Sequence, residues 1–144
     1  MAHSIVTEPV RAGIQRFVLT LALSQKRVNG RHMSEDRMLQ FYESRGTYPE
    51  CQAGWYRLIL DLDAKIGSIE PGYKVDQIKE KFGGLRFYYD EISVNDDNRE
   101  RVDKLVDAAE QISYTTCEVC GVSDSTVTTS GPCWVKTLCS EHRK

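Results

Sequence analysis

The sequence predicts an α+β fold in which helices pack on an antiparallel β-hairpin and a short metal-binding β module follows at the C-terminal end. Three observations predict it. Apolar residues recur at helical spacing through Trp55, Leu58, Ile59, Leu62 and Ile66. Leu85, Phe87 and Tyr89 alternate as a strand after the pair Gly83-Gly84. Four metal donors fall into two pairs with the same two-residue gap, Cys117/Cys120 and Cys139/His142.

Length and composition set the frame. At 144 residues the chain suits one domain with room for a small appended module. Its 40% hydrophobic and 28% charged content is that of a globular protein rather than a disordered one. The longest apolar stretch, Phe17 to Leu23, is broken by Thr20, lacks a small-residue cleavage site and lies within a longer amphipathic pattern. It therefore reads neither as a membrane span nor as a signal peptide, and a cytoplasmic setting is expected. A formal charge of −2 and a pI near 5.9 argue against a domain held mainly by phosphate contacts, which would show a basic excess. In a reducing compartment, an odd count of five cysteines with closely spaced pairs favours metal over disulfides.

The elements follow in order. Thr7, Glu8 and Pro9 suit a helix start, and Val10, Ile14, Phe17, Val18 and Leu21 continue it to about residue 25. The polar stretch Gln25 to His32 is a loop. Ser34 with Glu35 and Asp36 opens a second helix with an apolar stripe of Met38, Leu39 and Tyr42, stopped by Gly46. The third helix carries the stripe from Trp55 to Ile66 and is closed by Gly67. Pro71-Gly72 turns the chain into a strand over 73–81, and Gly83-Gly84 makes the hairpin turn into its partner over 85–90. Val75 and Ile78 fall on opposite faces of a regular strand, which predicts a bulge or a strand covered on both sides. Asp97 and Glu100 start a fourth helix with Val102, Leu105, Val106, Ala109 and Ile112 on one face, ending near Ser113. The predicted core is Trp55, Leu58, Leu62, Leu85, Phe87, Leu105 and Ile112.

From Tyr114 the composition shifts to Cys, Thr, Ser and Gly, with short β-prone runs at 126–129 and 134–138. Residues 1–113 thus read as a helical and hairpin domain and 114–144 as a zinc-binding module. C-E-V-C-G at Cys117 to Gly121 has the form of a zinc knuckle: two thiolates two residues apart reach one tetrahedral ion, and the glycine lets the turn aim N–H groups at sulfur. C-S-E-H at Cys139 to His142 repeats the gap after eighteen residues, an interval suited to a hairpin. Knuckle, hairpin and second pair give the order of a treble-clef-like or zinc-ribbon-like module, although the sequence stops too soon for more than a stub of helix. With four protein donors the Zn2+ would be structural, since no position is left for a reactive water. Cys133 is a rival ligand beside Pro132 and Trp134, where a buried thiol or a strand-end residue is the plainer reading, and Cys51 reads as a packed thiol.

G-W-Y-R-L-I at Gly54 to Ile59, Q-I-K-E-K-F-G-G-L-R-F-Y-Y at Gln77 to Tyr89, C-E-V-C-G, and W-V-K-T-L-C-S-E-H at Trp134 to His142 together resemble a family of small, largely uncharacterised proteins of bacteriophages, prophages and their bacterial hosts. The resemblance runs from about Cys51 to His142. It implies a phage or prophage setting and the Cys117, Cys120, Cys139, His142 site, and brings no activity with it.

The hairpin mixes Lys79, Lys81 and Arg86 with Phe82, Phe87, Tyr88 and Tyr89. Cations beside rings could grip phosphate and stack on bases. Packed aromatics and solvated charges, with Asp76, Glu80 and Asp90 cancelling the basic groups, are the plainer account. Lys79, Lys81, Arg86 and Tyr88 are nonetheless the candidate partner surface. Asp61, Asp63 and Lys65 superficially match a metal nuclease, but they fall on the expected solvent face of a helix rather than at a strand end, and Asp96 and Asp97 read as helix caps. His3 and His32 have no nucleophile pattern beside them, and no phosphate-binding glycine loop occurs. The expected function is a non-enzymatic zinc-binding protein that binds and modulates a host protein, such as a defence or transcription component. A nucleic-acid-binding zinc protein is the alternative, and a metal-dependent nuclease a weaker one. No membrane association is expected.

Overall fold

The computed structural model describes residues 35–143, so the helix expected over about 8–25 and the loop that follows it lie outside the described residues. From Asp36 onward the chain makes one compact unit. Residues 35–45 are helical (α1). Gly46 ends that helix at φ 75°, its N–H bonding to the Tyr42 carbonyl at 2.7 Å, a left-handed cap that glycine adopts without steric cost. The buried face is Met38 and Phe41, whereas Leu39 and Tyr42 of the expected stripe are exposed. Arg45 explains the rotation. Its guanidinium lies 4.0 Å over the Tyr73 ring and donates to Asp63 at 2.7 Å, which turns the i, i+3, i+7 row of Met38, Phe41 and Arg45 inward.

A 3-10 turn, Ala53–Trp55, leads into α2, Tyr56–Ile69. Trp55, Ile59, Leu62 and Ile66 are buried as their spacing predicts, and Leu58 packs at the margin. Gly67 does not close this helix, which continues two residues further. A side chain at Gly67 would stand 3.2 Å from the Arg45 guanidinium, so the glycine is there to let α1 approach.

Strands β1, Val75–Lys81, and β2, Gly84–Tyr89, form the antiparallel hairpin. The register slips between Val75 and Gln77, the bulge that allows both Val75 and Ile78 to be buried. Its two-residue loop is Phe82-Gly83 rather than Gly83-Gly84, with φ 53° and 77°. Gly84 instead opens β2, because the Tyr114 ring occupies the space where a Cβ would stand. Both hairpin edges are covered. Glu50 bonds to β1 through Ile78 and Glu80, and side chains of α3 accept the outward N–H groups of β2: Ser113 from Leu85 at 2.9 Å and Glu110 from Phe87 at 3.0 Å.

Helix α3, Asp96–Ser113, begins after Asn95, one to two residues before the expected cap. Asp96 and Asp97 lie in its first turn, where carboxylates face the positive helix end. Asn95 and Asn98 are tied to Glu70 at the end of α2. Val102, Val106 and Ala109 are buried and Leu105 packs beside them, but Ile112 is 48% exposed and leaves the predicted core. Ser113 takes the inward position because its hydroxyl serves Leu85. Strands β3, Thr128–Ser130, and β4, Lys136–Leu138, make a second small antiparallel pair; β4 falls within its β-prone run, and β3 overlaps the other but ends one residue beyond it. No helix among the described residues is long and apolar enough to cross a membrane.

Candidate metal centre

The first donor pair is a tight loop. The Cys117 N–H bonds to the Val122 carbonyl and the Gly121 N–H to the Cys117 carbonyl, both at 2.8 Å, with Gly121 at φ 75°. After β4 the backbone turns again: the N–H groups of His142 and Arg143 both reach the Cys139 carbonyl. That turn brings the imidazole back over the knuckle, with Nδ1 3.7 Å from the Cys117 sulfur and 3.1 Å from that of Cys139. The Cys120 and Cys139 sulfurs are 3.8 Å apart, and the ligand atoms of all four residues lie within 4.8 Å of one another. A tetrahedral ion with bonds of about 2.3 Å to sulfur and about 2.0 Å to nitrogen has edges of roughly 3.5–3.8 Å. Cys117, Cys120, Cys139 and His142 therefore come together as the sequence predicts and can hold a metal ion.

Local electrostatics favour thiolate at Cys117. Burial raises the Cys117 thiol, but the backbone N–H groups of Cys139, Cys120 and Val119 aimed at its sulfur outweigh that and bring it down to about 6. Cys120 is shifted up, chiefly by desolvation, against the N–H of Val122 and beside two other sulfurs. Three thiols facing one another without a cation is an arrangement that a metal ion relieves.

The cluster is fixed to the rest of the unit by contacts that motif spacing did not reveal. The Gly54 N–H bonds to the Glu118 carbonyl at 2.8 Å, and the Trp55 indole donates to the Thr116 carbonyl at 2.8 Å. A Cβ on Gly54 would collide with the Cys117 and Glu118 carbonyls, and one on Gly121 would stand 2.8 Å from the Gly54 carbonyl. The hairpin tip enters on the other side. Thr137, fully buried, donates to the Gly83 carbonyl, and a Cβ on Gly83 would stand 2.7 Å from Thr129. Between these contacts Lys136 joins two carboxylates, Glu80 at 2.9 Å and the buried Glu118 at 3.0 Å. The glycines of G-W and F-G-G, and the glutamate inside the knuckle, were the available signals. Their meaning depends on partners from other parts of the chain, Glu118 for Gly54, Tyr114 for Gly84 and Lys136 for Glu118.

Cys133 is exposed and is not among the four grouped donors; Cys51 is partly buried, packs against the core, and is raised to about 12 by desolvation first and then by Glu118. Of the candidate surface, Lys81 and Tyr88 are exposed and Lys79 is half-buried, with the Lys79 ammonium 5.3 Å over the Tyr88 ring and that of Lys81 5.3 Å over Phe82. Arg86 is turned inward to Tyr114 at 2.9 Å and Glu110 at 3.4 Å. Asp63, expected in solvent, accepts from Arg45 and from the Tyr73 hydroxyl, whereas Asp61 faces Arg57 at 3.8 Å. Those two acids do not converge with Lys65 on a metal-holding group; among the described residues the Cys3His cluster is the one such group.

No protein-family model, curated protein or solved structure matches the chain.

Proposed function

We propose that this chain is a non-enzymatic interaction protein whose C-terminal module is stapled by a structural Zn2+ and which binds another protein through the hairpin tip. Three sulfurs and one imidazole are a donor set for zinc, and their number fills a tetrahedral shell. The sequence of knuckle, β3–β4 pair and Cys-x-x-His turn is consistent with a treble-clef-like module.

One observation carries the partner reading. Phe82 sits in the left-handed region at φ 53°, where a bulky residue is strained, and its ring is 69% exposed, so neither turn geometry nor the core accounts for it. Trp134, 73% exposed, comes from the opposite end of the sequence to the same place: it precedes Val135, whose methyl is 3.1 Å from where a Cβ on Gly83 would stand. Exposed aromatics of this kind, with the Lys81 ammonium 5.3 Å over the Phe82 ring, are typical interface anchors. The motif resemblance supports a phage or prophage setting and hence a host-cell protein as partner, met in the cytoplasm.

A second reading, single-stranded nucleic acid, is favoured by the ammonium groups of Lys79 and Lys81 over the Tyr88 and Phe82 rings. Affinity capture from host extract, with and without nuclease, tests both. One protein retained after nuclease by the wild type and lost by Phe82→Ala and Trp134→Ala supports the first reading. Recovery that needs nucleic acid and weakens steeply with salt supports the second.

A further inference from the structure

We propose that Cys120 is an oxidation site: a peroxide-class oxidant joins Cys120 to Cys139 as a disulfide and so releases the C-terminal module from the hairpin tip. This rests on the metal-site reading above and goes beyond it by assigning the cluster an oxidant-sensitive role.

The donors are not equivalent. Cys117 and Cys139 are 0% and 2% exposed, whereas Cys120 is exposed. Cys120 is therefore the donor sulfur that a small oxidant reaches first. A partner is already in place, since the Cys139 sulfur is 3.8 Å away. A disulfide needs about 2.05 Å, so closing it removes one edge of the donor tetrahedron. Cys51 is partly buried with a raised thiol, and Cys133 lies outside the cluster, so neither competes for the same sulfur.

The chemistry balances with hydrogen peroxide as the named two-electron oxidant. The Cys120 thiolate attacks one peroxide oxygen, an S–O bond forms, the O–O bond breaks and hydroxide leaves, giving a sulfenic acid. The Cys139 thiolate then attacks that sulfur, the S–S bond forms, the S–O bond breaks and a second hydroxide leaves. Two thiolates lose two electrons and one peroxide becomes two hydroxides. Cys117 and His142 alone are too few to hold the ion. Cys139 directly follows β4, which carries Thr137 and Lys136, so the contacts to Gly83 and Glu80 lose their anchor.

The test uses the full chain loaded with Zn2+ and treated with hydrogen peroxide. The readouts are metal released to a chromogenic chelator, intact mass, and disulfide mapping after proteolysis, each in wild type and in Cys133→Ser. The expected result is stoichiometric metal release with loss of two hydrogens and a Cys120–Cys139 link in both proteins. Metal release through a disulfide or sulfenic acid at Cys51, Cys117 or Cys133 first, or retention of metal with Cys120 oxidised, overturns the inference while leaving the metal site standing. A chain that takes up no Zn2+ before treatment overturns both.

Discussion

The indole N–H of Trp55 donates to the Thr116 carbonyl at 2.8 Å, one residue before the first sulfur of the metal cluster. On the other side of that sulfur the Gly54 N–H holds the Glu118 carbonyl. Two adjacent residues in the 3-10 turn that leads into α2 thus grip the knuckle on both flanks of Cys117, which couples the position of the metal ligands to the helical core. Gly54→Ala places a methyl against two backbone carbonyls that cannot move without moving Cys117. It should cost about 1–3 kcal/mol, the range for overpacking, and weaken metal uptake in parallel. Thermal melts with and without Zn2+, together with a metal titration, check both effects. Unchanged metal affinity in a destabilised variant would break the coupling claimed here.

Lys136 is a second link, because it is the cation shared by Glu80 and the fully buried Glu118. Lys136→Met strands the Glu118 carboxylate without its ammonium, and removing one member of a buried pair costs about 3–5 kcal/mol. Lys136 itself keeps a quarter of its side chain in solvent, so the lower end of that range is expected. Adding Glu118→Gln should return much of the loss, since the amide needs no counter-ion. A double-mutant cycle in denaturant measures the coupling, and purely additive effects would contradict it.

The sequence carried local signals well and long-range ones poorly. The donors were legible because Cys-x-x-Cys and Cys-x-x-His encode their geometry in a few residues, and the β2 face was legible because Leu85 and Phe87 alternate. Gly84 looked like turn and is strand, since the reason for its glycine is the Tyr114 ring thirty residues on. Gly67 looked like a cap and is helix interior, since the reason is Arg45 on another helix. Ile112 fitted its stripe, yet Ser113 faces inward because a hydroxyl, not a methyl, can take the Leu85 N–H. In each case a tertiary partner assigned the residue its place, and such partners leave no periodic trace.

Acid should empty the site. In the metal-free fold the Cys117 thiol is lowered from an ordinary value of 9.0 to about 6. A depressed folded value contributes stability that is present in full above about pH 9, declines as pH falls, and is gone below about pH 6. Metal uptake must also displace a proton from Cys117 once the pH drops below that point. Zn2+ affinity is therefore expected to fall more steeply with acid below about pH 6 than above it, measured by competition with a chromogenic chelator across pH 5–8. The same slope above and below about pH 6 would mean that another group than this thiol limits uptake.

Removing the ion should loosen the tail before the core. Structural zinc contributes of order 10–16 kcal/mol in small fingers, whereas among the described residues from Tyr114 onward only Cys117 and Cys139 are buried apolar side chains. Hydrogen exchange after chelation should show protection lost in 114–143 and at the Phe82-Gly83 turn, and retained in α2, α3 and the centre of the hairpin. Loss of protection throughout would show that the core depends on the metal as well.

Phe82 separates stability from binding. Its left-handed backbone costs an L residue about 1–2 kcal/mol, and its exposed ring recovers little of that from packing. Phe82→Gly relieves the strain but adds freedom to the unfolded chain worth about 0.5–1 kcal/mol, so the variant should be as stable as the wild type or more stable by up to about 1.5 kcal/mol. If the ring anchors a partner, the same change should cost roughly 2 kcal/mol or more of binding, a loss of about thirtyfold or more. Melting temperature and retention of the captured partner, measured on one preparation, decide the matter. A variant that gains stability and binds as before would leave Phe82 without a role at the tip and return the partner surface to the β1–β2 face around Lys79 and Tyr88.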